Sequence, residues 1–132
     1  LGLGARTRFT GFVSDAERDT LLAGTRVAVC PSLKEGWGLT VIECNALGVP
    51  VVATDAPGLR DAVRHEETGL LVQDGPPDVF VERLAASLGS LLDEPGRLAE
   101  MAAAARAWSR RFDWDVSAEH MAEALRKRAA AP

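Results

Sequence analysis

The sequence has few of the residues that build metal centres, redox pairs or membrane spans. Its 132 residues hold two cysteines, Cys30 and Cys44, and two histidines, His65 and His120. The cysteines fall outside CxxC and metal-ligand spacing, and they read as buried thiols of a cytoplasmic protein rather than as a disulfide. The histidines lack any ligand or triad context, so surface or capping roles are expected of them, and neither a metal nor a cofactor is implied. No apolar run approaches the roughly 20 residues that a membrane helix needs, and no signal peptide is visible. An integral membrane segment is therefore not expected. The net charge of −4 gives an overall field that repels nucleic acid. The basic residues near the C-terminus, Arg106, Arg110 and Arg111 and then Arg126, Lys127 and Arg128, read as solvated helix faces. Two common nucleotide loops are missing as well. There is no GxxxxGK[ST], and Gly36 and Gly38 are followed by Val41 where a dinucleotide fingerprint wants a third glycine. That argues against a P-loop and against NAD.

What is present is ordinary for a globular chain, with 47% hydrophobic and 26% charged residues. At this length one domain is expected, with roughly two-thirds of the unfolded chain's surface buried on folding. Short apolar runs alternate with helical patterns. Thr7 to Val13 reads as a strand, and Ser14 with Glu17 has the form of a capping box opening a helix from about Asp15 to Ala23. Val27 to Cys30, Val51 to Ala53 and Gly69 to Val72 read as three further strands. Helical spacing appears at Thr40 to Leu47, and Leu59 to Val63 can make only a short helix. From Asp78 onward no further strand is predicted. One helix follows there, a second opens at Pro95 and runs to about Arg111, and a third is capped by Asp113. Trp108, Phe112 and Trp114 gather at the last junction as expected core aromatics. The pattern predicts an α/β fold, a Rossmann-like parallel sheet with helices on both faces and a helical C-terminal third. Leu1 is not a methionine, and Leu-Gly-Leu-Gly resembles a helix tail with its glycine cap. The chain is thus expected to be cut from something longer.

In such a sheet, ligands bind at the carboxyl ends of the strands. Of the loops there, only Pro31 to Thr40 combines two glycines, the start of a helix and bracketing carboxylates. Glu35 and Glu43 are separated by seven residues. Glycines permit close approach of a ligand, and the free N–H groups of a helix start carry partial positive charge, which suits phosphate. The carboxylates would hold hydroxyls rather than phosphate, so the combination points to a sugar nucleotide. A plainer alternative stands beside it. Thr40 to Glu43 and Ser32 to Glu35 both have capping-box spacing, and spacing alone does not decide between caps and ligands.

The run Glu35-Gly36-Trp37-Gly38-Leu39-Thr40-Val41-Ile42-Glu43-Cys44-Asn45-Ala46-Leu47-Gly48-Val49-Pro50 resembles the E-x7-E region of the retaining glycosyltransferases of family 4, which have the GT-B fold. Phe9 to Val13, Val29 to Ser32, Gly58-Leu59, Glu67 to Val72 and Phe112 to Trp114 extend the likeness over almost the whole chain. The resemblance implies most of the C-terminal, nucleotide-sugar-binding half of a two-domain enzyme, residues 1–132, without the acceptor-binding N-terminal domain. It implies that Glu35 is the catalytic carboxylate beside the donor sugar, that the backbone of Gly36, Trp37, Gly38 and Leu39 meets the sugar and diphosphate, and that Glu43 takes the ribose hydroxyls. Val13 and Asp15 would border the base. Trp37, Thr40, Pro57 and Asp61 depart from the usual family residues without removing a group the site needs. The family's arginine and lysine for the diphosphate would precede Leu1, and Lys34 is the basic residue within the loop. The implied function is donor binding for retaining transfer of a hexose-type sugar from a nucleoside-diphosphate sugar, with the fragment inactive alone. Its partners would be that nucleotide sugar and the rest of the same protein, which would be cytoplasmic or membrane-peripheral. The alternatives are half of a sugar-nucleotide epimerase of the same fold, or a non-catalytic nucleotide-binding module.

Overall fold

Branched apolar residues with small partners build the centre of the molecule. The computed structural model describes residues 2–130. Its three strands, β1 (Ala28–Cys30), β2 (Val51–Thr54) and β3 (Gly69–Val72), lie parallel in the order β1-β2-β3. Ala28 pairs with Val51 and Val52 pairs with Leu70, so alternate residues of each strand face opposite layers. On one side Val51 and Ala53 meet Val41 and Cys44 of α2 (Leu39–Ala46) and Leu59 and Ala62 of α3 (Leu59–Ala62). On the other, Val52, Leu70 and Val72 meet Leu91 of α4 (Pro77–Asp93) and Leu98 and Met101 of α5 (Pro95–Ser109). Helices therefore cover both faces, as the run of fully buried residues in β2 requires.

The first helix, α1 (Asp15–Ala23), opens with the predicted capping box. The Ser14 hydroxyl accepts from the Glu17 amide at 3.3 Å, and the Ser14 amide donates to the Glu17 carboxylate at 3.0 Å. That pairing pulls the Glu17 carboxyl below its usual range, the Ser14 amide being the largest cause. The last helix, α6 (Trp114–Ala129), is capped by Asp113, which accepts from the Asp115 amide at 2.7 Å. A 3-10 turn over Arg110–Phe112 separates it from α5, where the sequence predicts helix continuing to about Arg111.

Two expectations are corrected. Thr7 to Val13 is not a strand: no partner pairs with it among the described residues, Gly11 turns the backbone to φ 63, and Phe9 and Phe12 are exposed. Residue type favours extension there, but a strand needs a ladder for its amide groups. Trp114 is also not in the core. It opens α6, which buries none of its residues, and is 87% exposed. Trp37 takes its place in the aromatic group, edge-on to Phe112 at 5.0 Å, while Phe112 stands edge-on to Trp108 at the same separation. At the N-terminus Gly2 has the left-handed φ of 62 that a cap needs and a 3-10 turn spans Gly4–Arg6; Leu1, the start of the expected helix tail, lies outside the described residues.

Candidate functional site

The loop from β1 to α2 is shaped by two close approaches. Gly38 caps α2 with φ 83 and ψ 44, and a Cβ on it would stand 3.1 Å from the Ala62 Cβ and 3.2 Å from Leu59 Cδ2. Gly58, in the loop between β2 and α3, also has φ 83, and a Cβ there would lie 2.6 Å from the Glu35 carbonyl oxygen. At Gly58 the two strand-end loops thus meet backbone to backbone, an approach open only to glycine, while Gly38 takes the left-handed backbone that glycine favours and packs on side chains of α3. Gly36 has no positive φ, and the absence of a side chain leaves open space beside it.

Neither glutamate is used as a cap. Helix α2 begins at Leu39 with Gly38 as its N-cap, so Glu43 sits beyond the first turn and no side chain caps the helix. No helix starts at Ser32 for Glu35 to cap. Among the described residues neither carboxylate accepts a hydrogen bond; Glu35 is half-buried and Glu43 is exposed. The first amides of α2 therefore have no side-chain partner, and of the two carboxylates that bracket them in sequence neither is engaged in a hydrogen bond. The plainer reading of the E-x7-E spacing as two capping boxes is overturned by where the helix starts.

Glu43 does have a charged neighbour that the sequence reading missed. Arg18 of α1 brings Nη1 to 3.7 Å from Glu43 Oε1. The same guanidinium donates to Asp15 at 3.1 Å and, through Nε and Nη2, to Asp19 at 3.1 and 2.9 Å. These carboxylates raise its already high pKa, with the Asp19 hydrogen bond the largest cause and Glu43 contributing. Asp15 and Glu43, assigned to base and ribose by the resemblance, are therefore brought to one cation. The Asp15 to Arg18 spacing was visible as a helical i,i+3 pair. The approach of Glu43 was not.

Other predicted residues are more dispersed. Glu43 lines a cavity of about 390 Å³ with Ile42, Ala46, Arg106, Arg110 and Asp113, whereas Val13 lines a separate one of about 310 Å³ beside Arg8, Ala16 and Leu21. The Trp37 ring packs edge-on to Phe112. Arg106 and Arg111 are more than solvated surface. Arg106 donates to the Leu47 carbonyl at 3.1 Å at the end of α2, and Arg111 lies 5.3 Å over the Trp108 ring. His65 accepts from the Leu71 amide through Nδ1 at 3.0 Å, a backbone role. Both cysteines are free; Cys44 is buried, which raises its thiol pKa, and Cys30 is half-buried. Among the described residues no helix is long and apolar enough to cross a membrane.

A parallel sheet covered on both faces, with a helix start lacking a side-chain cap at the ends of its strands, defines an α/β domain of the doubly wound class. Residues 1–108 match the family described as glycosyl transferases group 1, and the chain belongs to that family. It is similar to the D-inositol 3-phosphate glycosyltransferase of Rhodococcus erythropolis, 45% identical over 111 residues that make up 84% of this chain and 24% of that protein. The enzyme of the same name from Rhodococcus jostii is 43% identical over 127 residues, 96% of this chain and 27% of that one. The chain thus spans about a quarter of the length of these relatives. Among solved structures, Anabaena HepE in complex with UDP superposes with a TM-score of 0.83 at 30% identity, covering 96% of this chain and 34% of that one. Sucrose-phosphate synthase from Thermosynechococcus elongatus gives 0.84 at 31%, covering 98% and 32%. The fold class is that of the GT-B glycosyltransferases, about a third of whose length the chain covers.

Proposed function

We propose that this chain is the nucleotide-sugar-binding part of a retaining glycosyltransferase that moves a hexose-type sugar from a nucleoside diphosphate to an acceptor. The observation that carries the reading is the start of α2: an N-terminus with no side-chain cap, shaped by Gly38 and flanked by two carboxylates without hydrogen bonds. Family membership and the solution of HepE with UDP, and with UDP and glucose, support it. In this reading the amides of Gly36 to Leu39 receive the diphosphate and sugar, Glu35 stands at the donor sugar, and Glu43 accepts both ribose hydroxyls. Val13 and Asp15 border the base. Separation of charge then has a physical basis, because the positive end of the helix dipole favours the leaving diphosphate while the carboxylates are reserved for hydroxyl donors. The acceptor site belongs to the remainder of a longer polypeptide, and the chain alone is expected to bind donor without transferring it.

A carboxylate that accepts two hydrogen bonds from a diol gains about 1.5–3 kcal/mol from each. Replacing Glu43 with alanine is therefore expected to weaken UDP binding by about a hundredfold to ten-thousandfold by calorimetry. Unchanged UDP affinity in Glu43→Ala would remove the ribose assignment, and unchanged affinity for a UDP-sugar in Glu35→Ala would remove the assignment of Glu35 to the donor sugar.

A further inference from the structure

Arg18 is assigned no contact with the donor above, yet it pairs with both Asp15 and Glu43. We propose that Arg18 is a positioning residue for Glu43, holding that carboxylate in the orientation in which it receives the ribose diol. The inference rests on the reading of Glu43 as the ribose ligand.

The geometry has two parts. First, the guanidinium is itself fixed: Asp15 takes one hydrogen bond from Nη1, and Asp19 takes two, from Nε and Nη2. Such a fork leaves little freedom to a side chain that otherwise has many rotamers. Second, the contact to Glu43 is electrostatic and not a hydrogen bond, at 3.7 Å between Nη1 and Oε1. At that separation the cation draws the carboxylate toward α1 without occupying its lone pairs, and among the described residues no other group occupies them. Glu43 is 46% exposed in its side chain, so in the absence of Arg18 it would sample several rotamers in water. Ordering it before the ligand arrives lowers the entropic cost of binding. The same contact joins α1, which carries Asp15 and follows Val13, to the ribose side of the site on α2.

The test compares UDP with 2′,3′-dideoxyuridine diphosphate, which lacks the diol, by calorimetric titration of the full chain and of Arg18→Ala, Arg18→Lys, Glu43→Ala and the Arg18→Ala/Glu43→Ala pair. Circular dichroism checks that each is folded. An exposed charge pair is worth about a two- to fivefold change in affinity. Arg18→Ala should weaken UDP by that factor, leave the dideoxy nucleotide unchanged and add nothing when Glu43 is already alanine, with Arg18→Lys nearer the parent. Equal weakening of both nucleotides, an undiminished effect in the Glu43→Ala background, or no effect on UDP would overturn the proposal. Parent-like UDP binding by Glu43→Ala alone would instead remove the ribose assignment on which it rests, and that result is read separately.

Discussion

Gly69 shows how closely single residues are specified. A Cβ on it would lie 2.1 Å from the Val51 carbonyl oxygen, backbone that cannot move aside without breaking the β2–β3 ladder. Gly69→Ala should destabilise the fold by about 1–3 kcal/mol or more, seen as a lower urea midpoint; an unchanged midpoint would mean that the strands have room to separate. The sequence marks Gly69 only as the first residue of a strand, because the close approach depends on a neighbour eighteen positions away. Gly58 is similar, since its role against the Glu35 carbonyl appears only once two loops are brought together. Arg18 and Glu43, likewise, are related by how α1 and α2 lie, which no local pattern records.

At the scale of elements, the capping boxes are instructive. Ser14 to Glu17 forms one, while Thr40 to Glu43 and Ser32 to Glu35 do not, although the spacing is the same. The difference is tertiary. The packing of Gly38 on Ala62 and Leu59 accompanies its place as N-cap and the start of α2 at Leu39, one residue before Thr40, so that Thr40 lies inside the helix. The true box has a pH signature. Because the folded-state pKa of Glu17 is depressed, its stabilising contribution is full above the ordinary glutamate range and is lost as pH falls through the lowered value. The Ser14 amide resonance should titrate with a midpoint below the usual glutamate range, and Glu17→Gln should abolish that titration. A midpoint at the ordinary value would show that the box does not persist in solution. The missing strand at Thr7 to Val13 teaches the reverse lesson, that strand-forming residues without a ladder partner stay irregular.

For the molecule as a whole, the fold was legible because alternating buried runs and helical periodicity survive any detail of packing. Two apolar layers follow from the alternation in β2 and β3. The candidate site was legible in part: its loop and both carboxylates stand out in the sequence, while Arg18 and the loop contact at Gly58 do not. The central claim is that this chain receives a nucleoside diphosphate at the start of α2. Titrating UDP into the isotope-labelled chain and following its amide resonances tests that most directly. Shifts are expected to concentrate at Gly36 to Leu39 and around Glu43, with affinity falling as salt screens the phosphate. Shifts confined to the cavity around Arg8 and Leu21, or none at saturating UDP, would contradict it.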